Sequence, residues 1–340
     1  MYDIHMVNVG KSHLFELRNE NIFKYFTFVT VINTYPMCGI LACINHGGDL
    51  DHGLDDIAHR GPDMKRSIHL PNADVYLGFT RLSINDLSER GMQPMTTEDR
   101  TIHMVCNGEI YNFKELAQKY ALPLASKSDC EVVLRLYHKL SEEDFGAFVR
   151  ELDGEFAFVL FDETKNKLFA TRDRYGVRPL FLGITSAFGV AFASEMKAMG
   201  SFCTQIEQVV PGTYVEVDTQ NNVRHVSYYD IYNRAFNTDS MTTIYETINR
   251  TLRNAVQKRL ISDRPICCLL SGGLDSSLVS ALVASHFPPY TIHTFSIGFE
   301  GSPDLEYAQL VADHIKSVHH VVQVDECEFI ANLESTISVI

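Results

Sequence analysis

The sequence has 340 residues, a formal net charge of −14 and eight cysteines. Its length is enough for two domains of roughly 100–200 residues each, and its composition, 45% hydrophobic and 21% charged, is that of an ordinary globular protein. The negative charge argues against nucleic acid or an anionic membrane as a partner. The scattered cysteines predict free thiols in a reducing, cytoplasmic setting, and no apolar run reaches the roughly 18 residues that span a bilayer.

Residues 1–37 are predicted to be a leader or the product of a start assigned too early. Their apolar piece, Ile22–Ile32, is interrupted by a lysine and is followed by nothing that resembles a signal-peptide cleavage site. Three readings remain: a cleaved pro-segment, a gene model that begins too early with Met37 as the true start, or an ordinary strand that blocks Cys38. The second is favoured, because aminopeptidases readily remove a methionine that precedes a small residue such as cysteine.

Residues 38–228 are predicted to form an α+β domain rich in antiparallel sheet. The dipeptide Asn107-Gly108 is a favoured hairpin turn and is expected to end the third strand. Strands are predicted over 38–45, 75–84, 101–106, 156–161, 167–171, 180–184, 189–193 and 214–217, and helices over 111–120 and from Ser128.

Residues 229–240 are predicted to be a linker, and 241–340 to be the beginning of a doubly wound α/β domain. An amphipathic helix comes first, followed by a wholly apolar strand of the kind buried in parallel sheets. The predicted elements are helix 244–259, strand 266–270, loop 271–277, helix 278–287, strand 291–299, helix 304–316, strand 318–324 and a helix from Glu328.

The loop Ser271–Ser277, with the sequence SGGLDSS, is the most specific signal in the chain. It follows an apolar strand and opens a helix, so its glycine N–H groups, its hydroxyls and the helix N-terminus favour a phosphate or pyrophosphate. Asp275 suits Mg²⁺ bound to that phosphate. The alternative is a plain Gly/Ser turn between a strand and a helix.

Cys38 is interpreted as the first residue of a mature enzyme. Its thiol would be the nucleophile and its own α-amine, with a pKa near 8, would be the base. Asn107 and Gly108 could donate hydrogen bonds to a tetrahedral oxyanion. The alternatives are a small core cysteine and a hairpin turn.

Three charged residues could bind an amino-acid substrate. Arg81 could hold a carboxylate with its two-pronged guanidinium, while Asp129 and Glu109 could hold an ammonium group. Each is more often a solvated surface charge. Together with the thiol of Cys38, however, a carboxylate-binding and an ammonium-binding group predict a pocket for glutamine.

A series of motifs carries a resemblance to a known family. They are MCGI, HRGPD, RLSI, NGEIYN, SDCE, DGEFAFVLFD, RDRYGVRPLF, ASEMKA, CLLSGGLDSS, FSIG, SPDLEYA and VADHI. The chain resembles glutamine-hydrolysing asparagine synthetases over residues 37–340. The resemblance implies an N-terminal-nucleophile amidotransferase domain, with antiparallel sheets between helices, followed by the first part of an α/β domain of the ATP-pyrophosphatase type.

The resemblance also implies a reaction: glutamine is hydrolysed in the first domain, and the ammonia displaces AMP from an aspartyl-adenylate made with ATP and Mg²⁺ in the second. The implied glutaminase residues are Cys38 as nucleophile, Asn107 and Gly108 as oxyanion hole, and Arg81, Glu109 and Asp129 as glutamine ligands. The implied nucleotide and Mg²⁺ residues are Leu270, Ser271, Gly272, Gly273, Asp275, Ser276 and Ile297.

The sequence departs from the family in its leader and in its end at Ile340, which precedes the segments that complete the aspartate site. The chain is therefore expected to be truncated, with synthetase activity only if a second chain completes the domain; a homodimer is also open. Three hypotheses follow: an asparagine synthetase cut short, a stand-alone glutaminase or ammonia donor, and an inactive remnant.

Overall fold

A computed structural model describes residues 27–28, 37–46, 50–140, 144–230 and 238–339. The chain divides into two units. The larger unit comprises Ile32–Ile248 with Ser335–Ile340, and the smaller unit comprises Met1–Val31 with Asn249–Glu334. No helix in the described ranges is long and apolar enough to cross a membrane.

The strands, numbered in chain order, are β1 (Thr27–Phe28), β2 (Gly39–Ile44), β3 (Met64–Leu70), β4 (Val75–Arg81), β5 (Met95–Thr96), β6 (Ile102–Ile110), β7 (Gly154–Asp162), β8 (Lys167–Arg172), β9 (Phe181–Thr185), β10 (Val190–Ala193), β11 (Cys203–Gln208), β12 (Thr213–Asp218), β13 (Val223–Ser227), β14 (Ile266–Leu269), β15 (His293–Gly298) and β16 (Val318–Gln323). The helices are α1 (Asp51–Asp56), α2 (Phe113–Tyr120), α3 (Glu131–Leu140), α4 (Phe145–Glu151), α5 (Met241–Lys258), α6 (Leu274–Ala284), α7 (Pro303–Ile315), α8 (Glu326–Ala331) and α9 (Leu333–Val339).

The larger unit is built on two antiparallel sheets, each of six strands. Their strand orders are β11-β9-β10-β2-β4-β3 and β13-β12-β8-β7-β6-β5. Alternate side chains of the facing strands form one buried apolar core between the sheets, because successive side chains of a strand point to opposite faces. That core includes Ile40, Phe79, Val159 and Phe192.

Helical segments cover the outer faces of both sheets. On one side, Leu50 and Leu54 of the α1 region and Met199 pack on the outer face of β2 and β10. On the other side, Phe145 of α4 stacks on Phe169 of β8 with ring centroids 4.4 Å apart. The prediction of antiparallel sheets between helices is therefore confirmed.

The prediction that Asn107-Gly108 ends a strand is wrong. Strand β6 continues through both residues, with Asn107 opposite Ala157 and Gly108 opposite Phe156 of β7. A Cβ added to Gly108 would lie 2.3 Å from the carbonyl oxygen of Glu155, so the glycine permits close strand pairing here instead of a turn. The full-length partner β7 outweighs the local turn preference of the dipeptide.

Several elements lack the periodicity that would have predicted them. Strands β3 and β11 lie at sheet edges, and their side chains are mostly exposed or half-buried. Edge strands of this kind carry polar residues on both faces, so they give no apolar alternation in the sequence. The short helices α1 and α4 span too few turns to show a clear repeat.

The smaller unit contains a parallel sheet in the order β1-β14-β15-β16, with a core that includes Val256, Cys268, Leu282 and Ile292. Helix α6 begins at Leu274, four residues earlier than predicted, because Asp275 in its first turn favours a helix N-terminus. The predicted α/β pattern of strand, loop, helix and strand is present.

The predicted domain boundaries stay a prediction. Most of the linker 229–240 and nearly all of residues 1–37 lie outside the described residues. Of the leader, Thr27 and Phe28 pair in parallel with Ile266 and Cys267 of β14.

Candidate active site

Six residues predicted for glutamine chemistry lie around one pocket of the larger unit. They are Cys38, Arg81, Asn107, Gly108, Glu109 and Asp129. Cys38 immediately precedes β2, Arg81 ends β4, and Asn107, Gly108 and Glu109 belong to β6. Three separate elements therefore converge on one concave site, which is the usual setting for a small-molecule ligand.

The Cys38 thiol is half-buried and is held by the backbone of Leu82. The Leu82 N–H donates to Sγ at 3.4 Å, and Sγ lies 3.5 Å from the Leu82 carbonyl oxygen. Burial raises the pKa of the Cys38 thiol to about 11, although the Leu82 hydrogen bond and the guanidinium groups of Arg178, Arg81 and Arg60 oppose this rise. A thiol of this pKa is protonated at neutral pH, so it needs a base to become a nucleophile.

The base cannot be the nitrogen of Cys38 while Met37 is attached to it. That nitrogen is then part of a peptide bond, whose lone pair is delocalised and does not accept a proton. An α-amine at Cys38 would have a pKa near 8 and could accept one. In a form of the chain in which Cys38 is the first residue, its own amine could therefore supply the base that the buried thiol needs.

Two motifs that had no predicted role hold the backbone of Cys38. In the HRGPD motif, the Arg60 Nε donates to the Cys38 carbonyl oxygen at 3.2 Å. The Arg60 Nη1 also donates to the Glu195 carboxylate of the ASEMKA motif at 2.8 Å, and His59 contacts the same carboxylate at 3.2 Å. Burial alone would raise the pKa of Glu195, but hydrogen bonds from His59, Arg60 and Lys197 outweigh it and lower the pKa to about 2.

Glu195→Gln should lower the free energy of unfolding by about 2 kcal/mol at pH 7, because the buried Arg60 guanidinium would then donate to a neutral amide oxygen and lose its counter-charge. The native pKa lies below the ordinary value of 4.5, so this stabilisation is present above about pH 4.5 and is lost as the pH falls towards 2. Denaturant unfolding at pH 7 and pH 3 checks the prediction. Glu207→Gln on the exposed side of β11 is the control, and an equal effect of both variants would contradict it.

Asn107 lines the pocket, and the nitrogen of its side-chain amide is buried. It is 2% exposed, and its buried Nδ2 has no hydrogen-bond partner among the described residues. A buried donor without a partner is costly, with a penalty of about 1–3 kcal/mol. Such a donor in a pocket is typical of a site where a ligand supplies the acceptor.

Arg81 is more constrained than predicted. Its Nη1 donates to the Ser88 carbonyl oxygen at 2.6 Å, and its Nη2 donates to the carbonyl oxygens of Asp86 and Asn85. Gly91 makes room for the guanidinium, since a Cβ there would lie 2.4 Å from Nη2. The backbone of residues 85–88 thus fixes the position of the positive charge, and less of its donor capacity is left for a carboxylate than sequence reasoning assumed.

Asp129 lies just before α3, as predicted for a residue at a helix start. Its Oδ2 accepts from the Ile110 N–H at 2.7 Å, and its Oδ1 accepts from the Asn85 Nδ2 at 3.1 Å. Burial raises the pKa of the Asp129 carboxyl, although these hydrogen bonds oppose the rise. The carboxylate is buried, so a bound ammonium group would stabilise its charge.

Sequence reasoning missed other residues that line the same pocket. They include Asn85, Gln93, Cys106, Cys130 and Arg178. Several of them act through the backbone: the Cys130 thiol, for example, donates to the Gly108 carbonyl oxygen at 3.3 Å. Contacts of this kind join segments that are far apart in the chain, and no local pattern predicts them.

In the smaller unit, the SGGLDSS loop connects the carboxyl end of β14 to the N-terminus of α6. Gly272 adopts φ +77°, and a Cβ there would lie 2.7 Å from the Ala308 nitrogen, so only glycine fits. The Ser276 Oγ lies 2.9 Å from the Ser271 Oγ and 3.3 Å from the Ser271 nitrogen. The loop is therefore pre-folded around these two hydroxyls.

Of the other predicted nucleotide residues, two belong to this loop and two lie outside it. Gly273 is the N-cap of α6 and Asp275 lies in its first turn. Leu270 is 1% exposed, whereas Ile297 near the end of β15 is 70% exposed. The open end of the parallel sheet, where ligands of such sheets bind, thus carries all seven predicted residues.

Asp275 is the acidic side chain of this loop, and the described part of the chain holds no cluster of three His, Cys, Asp or Glu side chains suited to a metal ion. Mg²⁺ is commonly held by one or two carboxylates together with substrate phosphates. The donor set therefore fits Mg²⁺ that arrives with a nucleotide better than a permanently bound metal.

Comparison with known proteins identifies two family segments. Residues 37–234 match the family described as "Glutamine amidotransferase domain", and residues 247–340 match the family described as "Asparagine synthase". The probable asparagine synthetase [glutamine-hydrolyzing] of Acanthamoeba polyphaga mimivirus is 40% identical over 84% of this chain and 56% of that protein. The asparagine synthetase [glutamine-hydrolyzing] of Rattus norvegicus is 37% identical over 88% of this chain and 58% of that protein.

Among solved structures, the glutamine phosphoribosylpyrophosphate amidotransferase from B. subtilis matches with a TM-score of 0.53. The match covers 84% of this chain and 91% of that chain, at 12% sequence identity. A similarity at so low an identity supports the fold alone, which agrees with the predicted antiparallel sheets between helices.

The chain spans somewhat more than half the length of the curated relatives described above. The amidotransferase match covers more than half of this chain and contains the whole pocket around Cys38. The chain therefore belongs to the glutamine amidotransferase family, and its residues 247–340 match the asparagine synthase family.

Proposed function

We propose that the larger unit hydrolyses the side-chain amide of glutamine at Cys38. The observation that carries this proposal is the buried Nδ2 of Asn107, which has no hydrogen-bond partner in the described part of the chain and belongs to the same pocket as Cys38. A buried donor beside a nucleophile is what an acyl-transfer site needs, because it stabilises negative charge that develops on the carbonyl oxygen. The relatives' names, which specify glutamine hydrolysis, support the same chemistry.

In the proposed reaction, the α-amine of a first-residue Cys38 takes the thiol proton and the sulfur attacks the amide carbon. Asn107 Nδ2 and the Gly108 N–H hold the oxyanion. The intermediate collapses with transfer of the proton to the leaving nitrogen, which departs as ammonia and leaves a glutamyl thioester. Water then hydrolyses the thioester to glutamate and regenerates the thiol.

Substrate binding in this scheme depends on charge. The fixed positive charge of Arg81 attracts the α-carboxylate of glutamine, and the carboxylates of Asp129 and Glu109 attract its ammonium group. Both interactions are made with the ground state as well as with the transition state. Substitution of these residues is therefore expected to raise KM for glutamine more than it lowers kcat.

We further propose that the ammonia serves asparagine formation from aspartate and ATP. In the smaller unit, Ser271, Gly272, Gly273 and Ser276 would bind the pyrophosphate, and Asp275 would bind Mg²⁺. Leu270 and Ile297 would contact the adenine nucleotide. The aspartate β-carboxylate would attack the α-phosphate and release pyrophosphate, after which ammonia would displace AMP to give asparagine. The cytoplasm, where thiols stay reduced, suits a chain whose eight cysteines are all free.

The test compares the full chain with a form that begins at Met37, after intact-mass analysis has shown which form has Cys38 as its first residue. Each is given glutamine, aspartate, ATP and Mg²⁺, and a parallel reaction contains ammonia in place of glutamine. Glutamate and asparagine together support the whole proposal. Glutamate alone favours a glutaminase that needs a second chain to make asparagine, and no glutamate from a form that begins at Cys38 would overturn the proposal.

Ser276→Ala should weaken Mg²⁺-ATP binding about tenfold, because one hydroxyl donor and the contact that shapes the loop are lost together. Calorimetric titration with a non-hydrolysable ATP analogue measures the effect. Ser285→Ala at the other end of α6, where the Oγ donates to the Leu282 carbonyl oxygen at 2.6 Å, is the control. Equal affinities of the two variants for the analogue would show that the loop is not part of the nucleotide site.

A further inference from the structure

Strand β6 has an open edge beside the pocket. It pairs with β7 over its whole length but with β5 only at Met104 and His103, which lie opposite Met95 and Thr96. If this antiparallel register is continued by two residues, Gln93 falls opposite Cys106. The backbone of Gln93 does not continue the strand, since β5 begins at Met95.

The side chain of Gln93 replaces that missing strand residue. Its Oε1 accepts from the Cys106 N–H at 2.6 Å, and its Nε2 donates to the Cys106 carbonyl oxygen at 3.0 Å. These are the two hydrogen bonds that a directly opposite residue makes in an antiparallel ladder. Gln93 is 3% exposed, so water cannot readily take over either bond.

The next backbone groups on this edge belong to the proposed oxyanion hole. Along a strand, alternate residues direct their N–H groups to the same edge, so those of Cys106, Gly108 and Ile110 share it. The Ile110 N–H is accepted by Asp129 at 2.7 Å. The side chains of Gln93 and Asp129 therefore occupy the hydrogen-bonding positions at Cys106 and Ile110, where a neighbouring strand would otherwise bind. The N–H of Gly108 lies between these two positions, at the pocket.

We propose that Gln93 is a positioning residue for the oxyanion hole: its amide holds Cys106 and thereby places the Asn107 side chain and the Gly108 N–H against the Cys38 thiol. This inference rests on the proposed glutaminase activity. Gln93 itself transfers no proton and forms no bond to the substrate. It acts through the strand, where a displacement of about 1 Å at a donor can cost about 100-fold in rate.

Gln93→Met is the first test, because methionine has a similar length but can neither donate to nor accept from Cys106. The variant is made in the form of the full chain that hydrolyses glutamine. The expected result is a fall in kcat of about 10- to 100-fold, with KM for glutamine within about twofold, because the charged substrate ligands are unchanged. Met92→Leu, a volume-conserving change in the adjacent buried residue, is the matched control and should leave both constants near wild type.

Gln93→Glu tests the hydrogen bonds themselves. A protonated carboxyl reproduces the donor and the acceptor of the amide, whereas the ionised carboxylate can accept from the Cys106 N–H but repels its carbonyl oxygen. The ratio of the variant's kcat to the wild-type kcat should therefore rise as the pH is lowered from 8 to 6. The ionisable groups that line the same pocket are present in both proteins, so their own effects on kcat are common to numerator and denominator. They are Cys38, Arg81, Cys106, Glu109, Asp129, Cys130 and Arg178.

The outcomes separate this inference from the proposed function. A wild-type chain with Cys38 first that forms no glutamate overturns both. An active wild type with Gln93→Met at wild-type kcat overturns the inference alone, and so does a variant whose loss is entirely in KM. A lower kcat in Gln93→Met supports it when the ratio in Gln93→Glu depends on pH while circular dichroism shows that variant folded from pH 6 to 8. Under those conditions the ratio reports the hydrogen bonds at Cys106 and not the stability of the fold.

Discussion

Replacement of Cys38 by alanine should abolish glutamate formation, with a fall in rate of about 10⁵-fold or more, the order expected when a covalent nucleophile is removed. The proposed reaction passes through a thioester at Cys38. Cys106 and Cys130 also line the pocket, but both lie within the chain, so neither has an α-amine of its own to act as the base. Alanine is also small enough for the preceding methionine to be removed. The variant therefore keeps the α-amine base and lacks only the sulfur.

Cys203→Ala is the matched control for this prediction. Cys203 is also a half-buried free thiol of the larger unit, and burial raises its pKa to about 11, as for Cys38. It lies on β11 and not among the pocket residues. If the loss of any half-buried thiol disturbed this unit, both variants would lose glutamate formation. A Cys38→Ala protein that kept substantial activity would remove Cys38 from the reaction.

The comparison of these two thiols explains what the sequence could and could not predict. The MCGI motif identified Cys38 as special by its resemblance to a family, whereas burial and pKa do not distinguish it from Cys203. What differs is the surroundings: of the two thiols, Cys38 shares a pocket with Asn107 and is influenced by three guanidinium groups. Those neighbours come from separate parts of the chain, so only the fold brings them together.

Local signals predicted the elements well where one periodicity dominated. The alternating apolar residues of β4 and β8 and the apolar run of β14 were predicted to within a few residues of their bounds. Local signals gave a wrong prediction at Asn107-Gly108, because this dipeptide strongly favours a turn but lies inside strand β6. The same two residues form the proposed oxyanion hole. At a functional site, the requirement for close strand pairing at Gly108 can outweigh the local preference of the dipeptide for a turn.

The roles of charged side chains were harder to predict than their positions. Arg81 was expected to offer both prongs of its guanidinium to a carboxylate, yet its terminal nitrogens donate to backbone carbonyls of residues 85–88. Gln93 gave no signal at all, because its two partners belong to one backbone residue on another strand. Hydrogen bonds from a side chain to a distant backbone leave no periodic trace in a sequence.

Asn107→Leu should lower kcat by about 100- to 1000-fold, the range found when one oxyanion-hole donor is removed. KM for glutamine should change little, because the amide is used when charge develops on the carbonyl oxygen and not when the substrate is first bound. Steady-state kinetics on the form with Cys38 first gives both constants. A loss confined to KM would assign Asn107 to substrate binding instead.

The same substitution should leave the free energy of unfolding unchanged or raise it. The Nδ2 of Asn107 is buried without a partner among the described residues, so its removal breaks no hydrogen bond made by that nitrogen and relieves the cost of burying it.

Asn112→Ala is the matched control outside the pocket. Its Nδ2 donates to the Glu151 carbonyl oxygen at 2.8 Å, and its Oδ1 accepts from the Asp153 N–H at 3.0 Å. That variant should lose about 1–2 kcal/mol of stability and keep its kcat. Opposite patterns in the two asparagines would show that the fold tolerates an unsatisfied donor at Asn107 because catalysis uses it, whereas a destabilised Asn107→Leu protein with normal kcat would make that donor structural.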